Sequence, residues 1–159
     1  MGNIFTKILL TFFLIAIPTL AYSHCEIPCG IYDDQLRYNL LKEHITTIEK
    51  SMNSINQLSK GHEDGNGEDH EDYNQIVRWV MNKEDHVDKF VEIVTQYFLT
   101  QRIKPVASDD PGFSKYQMHL QLYHEMMVYA MKCRQTTDTT NTDKLKELVD
   151  KSEKLYFEK

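Results

Sequence analysis

Leu41-Lys42-Glu43-His44-Ile45-Thr46-Thr47-Ile48-Glu49-Lys50-Ser51-Met52-Asn53-Ser54-Ile55 carries apolar residues at 41, 45, 48, 52 and 55. Steps of four and three hold one face of an α-helix, with charged and hydroxyl side chains on the other. Asp33 or Asp34 supplies an N-cap, and the pattern predicts a helix to about Ser59. Working outward, Lys60 to Glu71 has no apolar residue and three glycines, so it reads as a solvated loop. His62 and His70 stand among carboxylates there, without a rigid element to hold a metal geometry.

Asp72 with Gln75 resembles a capping pair for a second, long helix ending before Pro105, with Tyr73, Ile76, Val77, Val80, Val87, Phe90, Val91, Val94, Tyr97 and Phe98 on its buried side. Val106 to Gly112 is rich in turn formers. Ser114 with Gln117 marks a third helix striped by Tyr116, Leu120, Tyr123, Met127 and Ala130. A threonine-rich loop from Thr136 to Thr142 leads to a fourth, with Leu145, Leu148, Val149, Ser152, Leu155 and Tyr156 at helical spacing. Nothing alternates with a period of two. The expectation is an all-α protein, an antiparallel four-helix bundle spanning 33–159.

Ahead of the bundle, Lys7 precedes an apolar run from Ile8 to Ile17, a break at Pro18 and the small-residue site Ala21-Tyr22-Ser23. This is the pattern of a cleaved secretory signal over 1–23, and the run is too short for a stable membrane anchor. Export to a periplasm or the exterior is the resulting expectation. Cleavage after Ser23 would make His24 of His24-Cys25-Glu26-Ile27-Pro28-Cys29-Gly30-Ile31-Tyr32 the new amino terminus. A free amine, an amide nitrogen and two thiolates can then close around one ion in a plane, a geometry suited to Ni(II) or Cu(II), with the imidazole as an axial ligand. In an exported chain, two nearby cysteines also suit a disulfide. Cys133 falls on a helical stripe, where free cysteine behaves as a small buried hydrophobe.

The run HCEIPCGIY resembles the hook of the nickel-containing superoxide dismutases, whose mature chains begin His-Cys-x-x-Pro-Cys-Gly-x-Tyr. Arg78 to His86 (RWVMNKEDH) and Gln96 to Pro105 (QYFLTQRIKP) also look like the family, more loosely. The resemblance implies a hook domain at 24–32 on a helical bundle, with His24, Cys25 and Cys29 as nickel ligands. It implies His24 and Tyr32 as catalytic residues, the tyrosine on the substrate side. It further implies conversion of superoxide to dioxygen and hydrogen peroxide by Ni(III)/Ni(II) cycling, in a homohexamer. Thiolate and amide donors stabilise the higher oxidation state, which oxygen ligands would not do. The family's better-studied members orient the axial imidazole with a glutamate in the first helix and an arginine in the second. Here those places fall on Leu40, with Glu43 one turn later, and near His86. An exported helical protein that binds nickel or copper without turnover is the alternative reading.

With 18 Lys and Arg against 24 Asp and Glu, the net charge is −6, and one unit more acidic once Lys7 is lost. Such a balance argues against nucleic acid or an anionic membrane as partner. It also repels superoxide, so a site for that anion needs a local positive field, for which Lys83, Lys89, Arg102 and Lys104 are the candidates.

Overall fold

The computed structural model describes residues 33–63 and 69–158. The leader, the hook and loop residues 64–68 lie outside them. Four helices succeed one another: α1 over Asp34–Glu63, α2 over Asp69–Glu92, α3 over Phe113–Gln135 and α4 over Thr140–Phe157. The last ten residues of the second helix, Ile93–Arg102, are wound as a π-helix. Each helix packs against its neighbours in sequence, and α4 closes the ring against α1. Cross-helix bonds give the directions. Gln35 and Lys42 near the start of α1 reach Glu153 near the end of α4, while Glu49 accepts from Lys146. The bundle is therefore antiparallel, and no strand occurs among the described residues. Among them, too, no helix is long and apolar enough to cross a membrane.

The stripe of α1 is buried as its spacing predicts, with Leu41, Ile45, Ile48 and Met52 fully enclosed. On α4 the predicted Leu145, Leu148, Val149 and Ser152 are buried as well. Three expectations need correction. Helix α1 runs four residues beyond Ser59 and α2 starts at Asp69, so the loop is shorter than the glycines suggest. Lysine and glutamate are good helix formers, and acidic residues in the first turn of α2 suit the positive end of its dipole. The stripe of α3 is turned from the expected one: His119, Tyr123, Met126, Ala130 and Cys133 are buried, whereas Leu120 is exposed. Apolar residues surround this helix, so spacing alone does not choose the face.

The third correction concerns α2. Tyr73, Val77 and Val80 are exposed, the first two by more than half. The cause is length. Helix α1 has 30 residues and α2 with its π segment 34, against 23 and 18 for their partners. At about 1.5 Å per residue, the first pair runs well past the second. Asn56 of α1 and Lys83 of α2 already lie level with the α3–α4 turn, as their bonds to the Thr137 and Thr136 carbonyls show. The first three turns of α2 have only α1 beside them.

The caps differ in detail. Asp33 caps α1, its Oδ1 accepting from the Leu36 N–H at 3.2 Å. Ser114 caps nothing, because α3 starts at Phe113 with Gly112 as its N-cap. The loop before α4 is four residues, held by Asp138 Oδ1, which accepts from the Thr140 N–H and hydroxyl. Lys83 is 4 % exposed, and its ammonium donates to the carbonyls of Cys133 (3.0 Å), Arg134 (2.6 Å) and Thr136 (3.3 Å). It caps the C-terminus of α3 from a neighbouring helix, where a cation suits the negative end of the dipole.

At the opposite end the packing is aromatic. Phe98 contacts Tyr38 at 4.7 Å and stacks on Tyr123 at 5.2 Å between ring centroids. The Tyr38 hydroxyl bonds Tyr123 at 2.8 Å and Ser152 at 3.0 Å, satisfying three buried hydroxyls together. Burial pushes the Tyr38 phenol up to about 12.

Asp34 joins three elements beside this layer. Its carboxylate accepts from Tyr97, from Tyr156 at 2.8 Å and from Arg102 Nε at 2.7 Å, with Arg102 Nη2 at 2.5 Å. Burial alone would raise its pKa, but the bonds from Tyr97, Tyr156 and Arg102 outweigh that and hold it below the ordinary carboxylate value. A depressed carboxyl contributes stability above its unfolded pKa and loses it as pH falls through the folded value. Asp34→Asn should cost about 1–3 kcal/mol at pH 7, since it removes charge-assisted bonds in a half-buried site. Urea unfolding against pH should show wild type and variant converging below about pH 4, the ordinary carboxylate range.

Candidate metal centre and its surroundings

The sequence-predicted site residues, His24, Cys25, Cys29 and Tyr32, lie outside the described residues. The structure shows the ground on which that segment joins the bundle. Tyr32 is followed by the cap Asp33 and the anchored Asp34, so the last residue of the hook precedes the best-tethered end of α1 by two positions. The π segment makes the tether possible. Its wide turns are closed by bonds five residues apart, from the Ile103 N–H to the Phe98 carbonyl at 2.9 Å and from Thr100 Oγ1 to the Thr95 carbonyl at 2.8 Å. In that winding Tyr97 and Phe98 are both buried, and Arg102 reaches back to Asp34.

Between α1 and the α2–π junction lies a cavity of about 280 Å³, lined by Arg37, Leu40, His44, Lys89, Gln96 and Tyr97, with Glu92 and Ile93. The guanidinium carbons of Arg37 and Arg102 each stand 5.2 Å from the Tyr97 ring centroid. Of the four cations expected to supply a positive field, only Lys89 faces this cavity. Lys83 is buried at the end of α3, Arg102 is engaged by Asp34, and Lys104 lines a different pocket, near His119. Sequence reasoning misses Arg37 because an arginine in the first turns of an amphipathic helix reads as a solvated face.

Leu40 lines the cavity, and Glu43 is exposed one turn on. His86 meets His44 across the α1–α2 interface, Nδ1 to Nδ1 at 3.0 Å, with the rings edge to face. His44 escapes sequence reasoning too, since a single histidine between Glu43 and Ile45 carries no pattern of its own. Burial first, then the His86 charge and Lys89, push His44 below its ordinary value. Cys133 is fully buried and free, and its thiol is pushed up to about 12 by burial, as expected for a core residue.

Comparison with known families adds the deciding observation. The family model described as nickel-containing superoxide dismutase matches residues 19–159, which include the hook run and all four helices. The chain belongs to this family. It is accordingly a nickel-dependent oxidoreductase acting on superoxide. No match was found among curated proteins or among solved structures. The donor chemistry suits the metal: two thiols that ionise and a backbone amide are strong-field ligands of the kind nickel accepts in a plane. In this dismutase chain, Cys133 belongs to the core. A Cys25→Ser/Cys29→Ser variant should therefore take up no thiol reagent at pH 8 while folded and one equivalent in denaturant, as read by mass spectrometry.

Proposed function

We propose that the chain dismutates superoxide to dioxygen and hydrogen peroxide at the hook His24–Tyr32, after cleavage behind Ser23 and export to a periplasm or the exterior. The observation that carries this reading is the run HCEIPCGIY inside the segment matched by the family model. His24 would hold the metal through its amine and imidazole, and Cys25 through its amide nitrogen and thiolate. Cys29 provides the second thiolate, and Tyr32 borders the approach of the anion. Nickel, when bound, supplies one-electron oxidation and reduction, passing between Ni(III) and Ni(II). Loading requires deprotonated thiols and a neutral amine, so the leader must be gone before the amine can act as a ligand.

Arg37 and Lys89 are the cavity's basic side chains in this reading of the anion's approach, set against Glu92 in the same lining and Asp85, which pairs with Lys89. Assembly into a homohexamer belongs to the same proposal. It is supported by the exposed apolar strip of Tyr73, Val77, Val80 and Met81 on the projecting part of α2.

Cys25→Ser and Cys29→Ser should each abolish nickel retention while circular dichroism stays helical, because the buried stripes of the four helices use neither residue. Full dismutase activity in either variant would overturn the assignment. His24→Gln separates turnover from mere binding. The amine, amide and thiolates remain, so nickel content should persist, whereas pulse-measured superoxide decay should slow by at least about tenfold, a loss of roughly 1.4 kcal/mol of transition-state stabilisation. Equal rates at equal nickel content would remove the imidazole from the cycle.

A further inference from the structure

His44 and His86 stand on different helices, each half-buried, with their Nδ1 atoms 3.0 Å apart and ring centroids 5.0 Å apart. Two arrangements meet that separation. In one, an Nδ1–H donates to the opposing Nδ1. In the other, both Nδ1 lone pairs converge on one ion, since two nitrogens about 2.1 Å from a tetrahedral metal lie about 3.4 Å apart. We propose that His44 and His86 form a second metal site, a two-imidazole clamp across α1 and α2 for a borderline divalent cation such as Zn(II), separate from the nickel hook.

The helices hold the two rings in place before any ion arrives. Two turns along α1, Asn82 Nδ2 donates to Ser51 Oγ at 2.9 Å, pinning the same helix pair in the same register. Beside the pair, Asp85 is fixed by its ion pair with Lys89 at 2.6 Å. Rigid elements supply the fixed geometry that a metal site needs. Metal binding needs a neutral imidazole, and burial first, then the His86 charge and Lys89, push His44 in that direction. Chelation asks only that the proton shared between the two Nδ1 atoms move to an Nε2, a tautomer change with no net charge.

Carboxylates are close. Glu43 and Asp85 both exert an attractive field on the His44 imidazole, and both are exposed. Among the described residues no three His, Cys, Asp or Glu side chains already converge, so two protein ligands and solvent complete the sphere. Two imidazoles favour Zn(II) or Cu(II) over Mg(II) or Ca(II), which prefer oxygen. Affinity in the micromolar range is the consequence of having two fixed ligands where structural zinc sites have four.

The test titrates Zn(II) into nickel-loaded full-length mature protein and counts bound zinc after equilibrium dialysis, with thermal unfolding in parallel. One zinc per chain beyond the hook's nickel is expected, together with a raised melting temperature. His44→Gln and His86→Gln should each weaken zinc binding by at least about tenfold. His124→Gln, an exposed histidine on α3, should leave it unchanged. A Cys25→Ser/Cys29→Ser chain should bind zinc as wild type does, which separates this site from the hook. Imidazole nitrogen shifts on zinc addition should move at Nδ1 of both residues. No zinc at micromolar concentration in the folded wild type would overturn the proposal, as would wild-type zinc affinity in either glutamine variant.

Discussion

The carboxylate of Asp34 is the point on which the rest of the molecule's working end depends. It is the first residue of α1, and it receives a guanidinium and a phenol from the π segment and a second phenol from α4. A helix terminus ordinarily frays, because its first N–H groups lack partners inside the helix. Here the cap from Asp33 and the charge-assisted bonds to Asp34 remove that freedom at once. A short metal-binding segment at the head of a bundle depends for its position on the residues that connect it to the helices. Two residues after the last hook residue, the backbone is tied to three elements of the bundle.

The π segment answers the same constraint. In an α-helix successive residues point about a hundred degrees apart, and one helix cannot readily serve both an aromatic core and a polar anchor from adjacent positions. Widening the turns over Ile93–Arg102 lets Phe98 fill the centre of the bundle while Tyr97 and Arg102 address Asp34. Gln101 satisfies the Gln96 carbonyl five residues back at 2.9 Å, so the wider winding leaves its polar groups paired. Helical periodicity in the sequence announces a helix here but not its pitch, since Val94, Tyr97 and Phe98 are apolar under either winding.

Legibility in the sequence sorts by range of interaction. Stripes on α1 and α4 are legible because charged residues bound them on both sides, leaving one candidate face. The stripe on α3 is not, because Met118, Leu120, Leu122, Met126 and Met127 offer competing faces, and only the partners' positions choose among them. Burial along the start of α2 is misread for a different reason, since amphipathicity does not say how far a neighbouring helix extends. The family is legible in the run HCEIPCGIY because a metal-binding motif is a local pattern, and the family model matches the segment that holds it, while the site residues of that run lie outside the described residues. Arg37, His44 and the loss of Lys83 to a helix end are illegible because each depends on a contact made across the bundle.

Lys83 shows why charge in a sequence is a poor guide to charge at a site. Its ammonium is almost wholly buried, and a buried cation must be compensated or it neutralises. Three carbonyls at the end of α3 and the Glu84 carboxylate at 3.6 Å do this, at a site away from the cavity between α1 and the π segment. Arg102 is likewise compensated by Asp34, though its guanidinium still flanks Tyr97, as does that of Arg37. Of the two cations that line the cavity, Arg37 and Lys89, the second is itself paired with Asp85 at 2.6 Å, and Glu92 stands on the same wall. On a chain with net charge −6, two cations near one edge matter by placement more than by number, because salt screens exposed charges within about 8–10 Å.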